Sequence, residues 1–334
     1  MNFSSRTKAE LCKINYESGC CKLAALSAFI RTAGSIISEN EVYGFCVTAQ
    51  PECVEYFARL IKELFSENVE FNYSSKSAEK SANTSDKKAA FIGKKGKEKK
   101  IPVGFSLISG KSTDILIELG IFKILNGELV ISLEPESYLT ENDCCKKAYV
   151  AGAFMGSGSV TVPNADGERA SSTGYHLEFV FSKYLTAAAF SELLCEQGFL
   201  PKLIDRKENY VVYFKQNEEI KDILAFMGAQ KSVIALADLV VLRNVKNNIN
   251  RTNNCEYHNI SRQIDASLKT CAAIKTIETT VGLDVLPEEL KETAIARAQK
   301  SDLTLNELAE SLGVSKSCLN HRLRKINKIA ESLK

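Results

Sequence analysis

The sequence predicts an α+β domain made of two similar halves related by a pseudo-two-fold axis, followed by an all-α domain. Three observations predict it: an internal repeat, the same order of helix and strand signals after each copy, and short capped helices near the carboxyl end. The expected boundaries are 1–228 for the α+β domain (halves of about 1–125 and 126–228), 229–283 for a helical linker and 284–334 for the all-α domain.

One segment of the chain occurs twice, at an offset of 124 residues. Residues 20–24 (CCKLA) match residues 144–148 (CCKKA), and the same offset places Gly34 on Gly158. Both copies have the Ala, Gly and Ser content of a short helix that ends at a glycine. Because small side chains let helix axes approach closely, we expect the two helices to pack backbone against backbone.

The signals that follow each copy predict an αββαββα half-domain. In the second half they are a helix over 144–156, strands at 160–162 and 175–181, a helix over 185–197, strands at 202–205 and 210–214, and a helix over 220–226. In the first half they are a helix over 23–33, a strand at 42–48, a helix over 51–65 that starts at a proline, and a strand at 69–73. Two such halves would form a saddle with antiparallel sheets.

The repeated helices resemble two degenerate copies of the LAGLIDADG motif of homing endonucleases. The copies are residues 26–34 (LSAFIRTAG) and 150–158 (VAGAFMGSG). In that family the eighth motif position holds an acidic residue that binds a catalytic metal, and here these positions are Ala33 and Ser157. Because metal-dependent phosphodiester cleavage needs carboxylate ligands, we expect a nuclease-like scaffold without catalytic residues. A divergent endonuclease that uses other carboxylates is the enzymatic alternative.

The bulk composition is that of an ordinary globular protein. Of 334 residues, 45% are hydrophobic and 25% are charged, and the net charge of +2 is too small to indicate nucleic acid by itself. The start does not resemble a signal peptide, and no apolar run is long enough to span a bilayer. We therefore expect a cytoplasmic protein with reduced thiols, no membrane partner, no cofactor and no small-molecule substrate.

The eleven cysteines include two adjacent pairs, Cys20-Cys21 and Cys144-Cys145. Four thiolates can hold a zinc ion tetrahedrally. Adjacent side chains on a helix point about 100° apart, however, which disfavours the convergence of all four. The three histidines are scattered along the chain, so the sequence predicts no metal site.

Two lysine- and arginine-containing stretches are candidates for contacts with DNA phosphates. Residues 74–100 contain nine lysines and could form an arm that reaches the phosphates; a solvated loop is the alternative. The polar stretch 243–262 of the linker is the second candidate, and a plain polar surface is its alternative. The predicted phosphate contacts are Lys94, Lys95, Lys97, Lys99, Lys100, Arg243, Lys246 and Arg251.

A second motif, residues 304–326 (TLNELAESLGVSKSCLNHRLRKI), predicts two short helices joined by a tight turn. Thr304 and Glu307 have the spacing of a capping box, Gly313 permits a left-handed turn, and Ser315 can cap the second helix. A support helix is expected over 287–300. This pattern is typical of a helix-turn-helix, whose second helix enters the major groove of DNA.

The predicted second helix combines an apolar inner face with a polar and basic outer face. Residues 315–328 contain five basic side chains and no acidic one. Asn can recognise adenine and Arg guanine, while other basic side chains bind phosphates. Arg322 stands where many such motifs have an apolar residue, and Leu323 is expected to replace its packing. The predicted DNA-binding residues are Lys316, Ser317, Asn320, His321, Arg322, Arg324, Lys325 and Lys328; a plain three-helix bundle is the alternative.

The combination of a degenerate double LAGLIDADG domain with this motif resembles the WhiA family of bacterial regulators. The resemblance covers essentially the whole chain and includes residues 149–159, 175–179 and 315–327. It implies a non-enzymatic, sequence-specific protein that binds double-stranded DNA at the nucleoid and regulates sporulation, cell division or chromosome segregation. Two questions stay open: whether a protein co-regulator takes part, and whether the saddle binds DNA or docks a protein.

Overall fold

The computed structural model describes residues 2–73, 101–163 and 174–333. The chain divides into two compact units, Met1–Leu242 and Arg243–Lys334, of which the first is α+β and the second all-α. This division lies within one long helix, and the finer boundaries at 228 and 283 stay a prediction. The predicted phosphate contacts Lys94, Lys95, Lys97, Lys99 and Lys100 lie outside the described residues.

The first unit begins with helix α1 (Phe3–Leu11) and then repeats one order of elements twice. The first copy consists of α2 (Gly19–Ala33), β1 (Gly34–Glu39), β2 (Val42–Thr48), α3 (Pro51–Phe65), β3 (Glu70–Tyr73), β4 (Pro102–Leu107) and α4 (Ser112–Glu118). A hairpin of β5 (Phe122–Leu125) and β6 (Glu128–Ile131) and a 3-10 turn (Ser137–Leu139) follow. The second copy consists of α5 (Asp143–Ser157), β7 (Ser159–Thr161), β8 (His176–Phe181), α6 (Tyr184–Glu196), β9 (Lys202–Arg206), β10 (Asn209–Phe214) and α7 (Asn217–Phe226). The predicted αββαββα order is confirmed in both copies.

Each copy forms a four-stranded antiparallel sheet, and the two sheets have equivalent strand orders. The orders are β1-β2-β4-β3 and β7-β8-β10-β9. Val47 pairs with Phe105 in the first sheet, and Phe179 pairs with Val212 in the second. These side chains are buried in one core with the repeated helices. The matching topology confirms the pseudo-two-fold relation that the repeat predicted.

Helices α2 and α5 pack in close backbone contact. A Cβ atom on Gly152 would lie 2.1 Å from the carbonyl oxygen of Ala25, and one on Gly156 would lie 2.0 Å from Thr32 Oγ1. Both distances are far below any normal Cβ contact. Glycine is therefore required at Gly152, where the obstacle is backbone, and a side chain at Gly156 would displace Thr32; the close approach agrees with the small-residue content of the helices.

The second unit contains the greater part of one long helix and a three-helix cluster. Helix α8 (Gln230–Thr280) occupies most of the predicted linker, and a 3-10 turn (Leu283–Val285), α9 (Glu288–Gln299), α10 (Leu305–Ser311) and α11 (Lys316–Ser332) follow. Ile277 of α8, Leu290 of α9 and Leu319 of α11 belong to one buried cluster. Within the described ranges, no helix has both the length and the apolar character needed to cross a membrane.

Candidate nucleic-acid interface

Helix α10 begins with a complete capping box. The Glu307 backbone N–H donates to Thr304 Oγ1 at 3.4 Å, and the Thr304 backbone N–H donates to Glu307 Oε2 at 2.8 Å. The Thr304 backbone N–H and the Thr304 hydroxyl both donate to this carboxylate, which holds the pKa of Glu307 below its usual value. Because backbone donors at a helix start have no partner within the helix, this pair of bonds fixes where α10 begins.

A tight turn joins α10 to α11. Gly313 has a φ of +64°, a conformation that glycine adopts without steric cost. The Val314 N–H donates to the Ala309 carbonyl at 3.0 Å and closes the end of α10. The Cys318 N–H then donates to Ser315 Oγ at 3.2 Å, which caps α11. The turn residues thus produce the predicted helix-turn-helix geometry.

Apolar packing decides which side of α11 faces outward. Leu319, Leu323 and Ile326 are buried in the core of the second unit, together with Leu308 and Ala309 of α10. The opposite side of α11 is consequently the one open to a partner. We call its exposed or half-buried polar residues the outer face of α11: Lys316, Ser317, Asn320, His321, Arg324, Lys325 and Lys328.

The cations of the outer face are available to a partner. Asn320 is half-buried, and the other side chains of this face are exposed. In the part of the chain that the structure describes, no ion pair joins Lys316, Arg324, Lys325 or Lys328 to an acidic residue. A row of unpaired cations on a helix that follows this turn is suited to an anionic polymer such as DNA.

Arg322 lies differently from the other predicted DNA-binding residues. Its side chain is only 13% exposed, with Nη2 3.5 Å from Glu289 Oε2 and Nη1 3.5 Å from Thr293 Oγ1. Both partners belong to α9, so the guanidinium joins α11 to its support helix. Many helix-turn-helix motifs have an apolar residue at this position, and Arg322 likewise packs against the support helix. We therefore do not place Arg322 on the outer face.

Asn320 and Arg324 also line a groove within the second unit. The groove has a volume of about 1010 Å³, and the stretch of α8 around Arg262 and Gln263 forms part of its lining. Asn327 lies in the same groove, with an Oδ1 atom that is buried and has no hydrogen-bond partner among the described residues. Arg262 and Gln263 are thus polar neighbours of the outer face; Arg262 ends the polar stretch 243–262 that the sequence indicated, whereas Gln263 lies outside it.

The other predicted phosphate contacts lie on α8. Lys246 and Arg251 are exposed, as is the polar stretch around them, and Arg243 lies one turn before Lys246. Helical geometry spreads these three over about two turns. Their contact with phosphate stays a prediction.

The positions that hold metal ligands in LAGLIDADG nucleases are the last residues of α2 and α5. Ala33 and Ser157 occupy them, and neither has a carboxylate. Ser157 Oγ accepts a hydrogen bond from the Val180 N–H of β8 at 3.2 Å. On the same strand, Glu178 contacts three side chains: Ser159 at 3.2 Å, His176 at 3.0 Å and Arg206 at 3.4 Å. Ser157 is therefore engaged in a contact with the second sheet.

The sheet faces turned away from the repeated helices have nearly balanced charge among the described residues. On the first sheet, strand alternation places Glu39 and Glu70 on this face. On the second sheet it places Lys202 and Arg206 there, beside Glu178. The described part of this surface therefore differs from the basic stripe that is typical of nucleic-acid-binding sheets.

Three thiols converge where the N-terminal ends of α2 and α5 meet. The Sγ atoms of Cys20, Cys21 and Cys145 lie within 4.8 Å of one another, and Cys21 Sγ is 3.9 Å from Cys145 Sγ. The sequence argument disfavoured convergence because it considered each helix separately. Cys21 and Cys145 are equivalent positions of the repeat, 124 residues apart, so the pseudo-two-fold axis brings them together.

A LAGLIDADG-like repeat without the motif acids, followed by a helix-turn-helix domain, defines a class of two-domain proteins. Residues 146–246 match the model of the WhiA LAGLIDADG-like domain, and residues 249–330 match that of the WhiA C-terminal HTH domain. The chain belongs to the WhiA family.

Relatives match over the full length of the chain. The probable cell division protein WhiA of Alkaliphilus metalliredigens is 32% identical, over 99% of this chain and 98% of the relative. That of Thermoanaerobacter pseudethanolicus is 36% identical, over 100% of this chain and 98% of the relative. The crystal structure of full-length DUF199/WhiA from Thermatoga maritima matches 99% of both chains with a TM-score of 0.54 and 22% identity, which supports the fold.

Proposed function

We propose that this protein is a non-enzymatic, sequence-specific regulator that binds double-stranded DNA through α11. The observation that supports this most is the outer face of α11, where exposed cations with no acidic partner among the described residues follow a correctly capped turn. The relatives are named as probable cell division proteins, so we place the regulation in cell division. Roles in sporulation or chromosome segregation and a cytoplasmic, nucleoid-associated location extend the same proposal.

The spacing along α11 supports a division between base contacts and phosphate contacts. Lys316, Asn320 and Arg324 recur every four residues, a rise of about 6 Å, so neighbours along this row are separated by roughly two base-pair steps. The Asn320 amide can pair with an adenine edge and the Arg324 guanidinium with a guanine edge. Lys325 and Lys328 lack a planar group and are assigned to phosphates.

A second role, protein docking, is proposed for the outward sheet faces of the saddle. The nearly balanced charge on the described part of these faces favours a protein co-regulator over the phosphate backbone. The double substitution Lys202→Ser/Arg206→Ser should therefore leave DNA affinity and its salt dependence unchanged in a binding titration. A marked loss of affinity for all duplexes would instead place DNA on this sheet.

The lysine-rich segment 74–100 is proposed to contact phosphates without selecting sequence. Replacing Lys94, Lys95, Lys97, Lys99 and Lys100 by Ser should weaken binding to all duplexes. It should also lower the slope of log K against log salt by about one unit for each phosphate that a lysine no longer neutralises. Titrations of specific and scrambled duplexes across a salt series measure both effects, with Lys202→Ser/Arg206→Ser as the control. An unchanged slope would identify the segment as a solvated loop.

The protein is expected to leave DNA intact. Ala33 and Ser157 cannot provide the carboxylate oxygens that position catalytic metal ions. Incubation of the purified protein with a duplex that it binds, in Mg²⁺ or Mn²⁺, should yield no cleaved strand on a denaturing gel. The variant Asn320→Ala/Arg324→Ala is the control, since a contaminating nuclease would remain active in it. Site-specific nicking by the parent that this variant loses would show the protein to be an enzyme.

A further inference from the structure

We propose that the first unit binds one zinc ion where the N-terminal ends of α2 and α5 meet. The ligands are the thiolates of Cys20, Cys21 and Cys145, and the fourth position is taken by Cys144 or a water molecule. The site links the two halves of the pseudo-two-fold repeat. It is independent of the DNA-binding proposal, because it lies in the other unit of the chain.

The distances between the thiols suit tetrahedral coordination. A Zn–S bond of about 2.3 Å implies a separation of roughly 3.8 Å between sulfur atoms at tetrahedral corners. Cys21 Sγ and Cys145 Sγ are 3.9 Å apart, and all three Sγ atoms lie within 4.8 Å of one another. Small side-chain rotations would complete the triangle. A disulfide would require the two sulfur atoms to approach to about 2.05 Å, a much larger change.

The cysteine cluster is closed to solvent on one side and open to solvent on the other. Cys21 and Cys145 are buried, whereas Cys20 and Cys144 are exposed at the same helix ends. An ion can therefore enter from solvent on the side of the exposed cysteines and be bound by the buried pair, Cys21 and Cys145. The alternation of exposed and buried cysteines is the same in both copies, so Cys144 is the symmetry equivalent of Cys20, although its Sγ atom is not among those that lie within 4.8 Å of one another.

The helix ends favour the thiolate form that a metal needs. All four cysteines lie in the first turn of α2 or α5, where backbone N–H groups stabilise negative charge. In the described structure, neither N-cap side chain, Ser18 or Asn142, accepts a hydrogen bond from its helix. The first-turn donors are therefore not committed to a side-chain cap, although the Cys145 N–H already donates to the Asn142 carbonyl at 2.9 Å.

Zinc binding at this cluster is coupled to the release of protons. Each thiol that binds zinc must lose its proton. Protons therefore compete with the metal, and the affinity for zinc should increase as the pH rises.

A second sulfur cluster in the same unit provides a comparison. Cys12 Sγ lies 3.6 Å from Cys53 Sγ and 3.7 Å from Met155 Sδ. This group offers only two thiols, and its third sulfur is a thioether, which zinc sites rarely use. The proposal is accordingly restricted to the cluster at the helix ends.

Cobalt titration of the reduced full-length protein tests the proposal, because Co²⁺ reports thiolate ligation and tetrahedral geometry by its absorption. One equivalent of Co²⁺ per chain should produce thiolate-to-cobalt charge-transfer bands and intense visible bands. One equivalent of Zn²⁺ should abolish both. Zinc should also raise the melting temperature of the parent protein.

Two variants separate the site from the other cysteines. Cys20→Ser/Cys144→Ser alters only exposed side chains, so it should keep the circular dichroism of the parent and lose stoichiometric cobalt binding. Cys195→Ser, an exposed cysteine on α6, should bind cobalt like the parent. Absence of a one-to-one cobalt complex in the parent, or its persistence in the double variant, would overturn the proposal. A mass two hydrogens lower after purification without reductant, with no metal bound and with the cross-link mapped to Cys21 and Cys145 by peptide digestion, would replace it by a disulfide between these two residues.

Discussion

Replacement of Asn320 or Arg324 by alanine is expected to weaken binding to the specific DNA site by about 1–3 kcal/mol, which is about 5- to 150-fold in affinity. Binding to random duplexes should change little. The reason is that both side chains lie on the outer face of α11, one helical turn apart, and can form paired hydrogen bonds with base edges. Fluorescence anisotropy with specific and scrambled duplexes at fixed salt measures the difference.

Two further substitutions on α11 serve as controls for base recognition. Lys325→Ala should weaken specific and scrambled binding equally, because a lysine on phosphate does not select sequence. Arg322→Ala should lower thermal stability, because Arg322 contacts Glu289 and Thr293 of α9. If the Asn320 and Arg324 variants both bind the specific site as tightly as the parent, then α11 does not recognise bases through this face.

Gly152→Ala is expected to destabilise the first unit by about 3 kcal/mol. The added Cβ would lie 2.1 Å from the backbone carbonyl oxygen of Ala25, where no flexible side chain can move away. Helices α2 and α5 would have to separate, and the apolar packing along their interface would loosen. Urea unfolding followed by circular dichroism measures the decrease in the free energy of unfolding.

Gly19→Ala is the matched control for that substitution. Gly19 is the first residue of α2, and a Cβ placed there has no heavy atom within 4 Å. Its replacement should leave stability unchanged or raise it slightly, because alanine restricts the unfolded chain. If the two variants unfold at the same urea concentration, then the close approach of α2 and α5 does not limit stability.

Most of the fold that could be predicted from the sequence was predicted from the internal repeat and from the turn residues between α10 and α11. The 124-residue offset recurs as equivalent helices, and the capping box, Gly313 and the Ser315 cap produce the turn between α10 and α11. These features depend on local steric and hydrogen-bonding preferences, which neighbouring residues specify. They could therefore be inferred without knowledge of the tertiary structure.

Several elements of the first half could not be predicted because their signals are weak. Strand β1 follows directly on α2 and begins at the glycine that ends it, and β4 begins at a proline beside the lysine-rich segment. Proline is tolerated at the first residue of a strand but argues against a strand in a sequence pattern. Helix α4 has only seven residues, and the β5–β6 hairpin has no equivalent in the described part of the second half.

The candidate sites depend on contacts between segments that are distant along the chain. Such contacts could not be predicted from local sequence patterns. The Cys20, Cys21 and Cys145 cluster forms only when the repeated helices meet. The inward position of Arg322 depends on Glu289 and Thr293, which belong to another helix. Arg262 and Gln263 share a groove with Asn320, although Asn320 is distant from both along the chain. Local sequence patterns identified the outer face of α11, and the contacts of Arg322 with α9 exclude that residue from it.

The central claim is that sequence preference resides in the outer face of α11. The most direct measurement is selection of bound fragments from genomic duplexes by the full-length protein, in parallel with the variant Asn320→Ala/Arg324→Ala. The parent is predicted to recover fragments that share one sequence motif. The variant should lose that motif and keep weaker, salt-sensitive binding to all fragments. Recovery of the same motif by the variant, or of no motif by the parent, would contradict the claim.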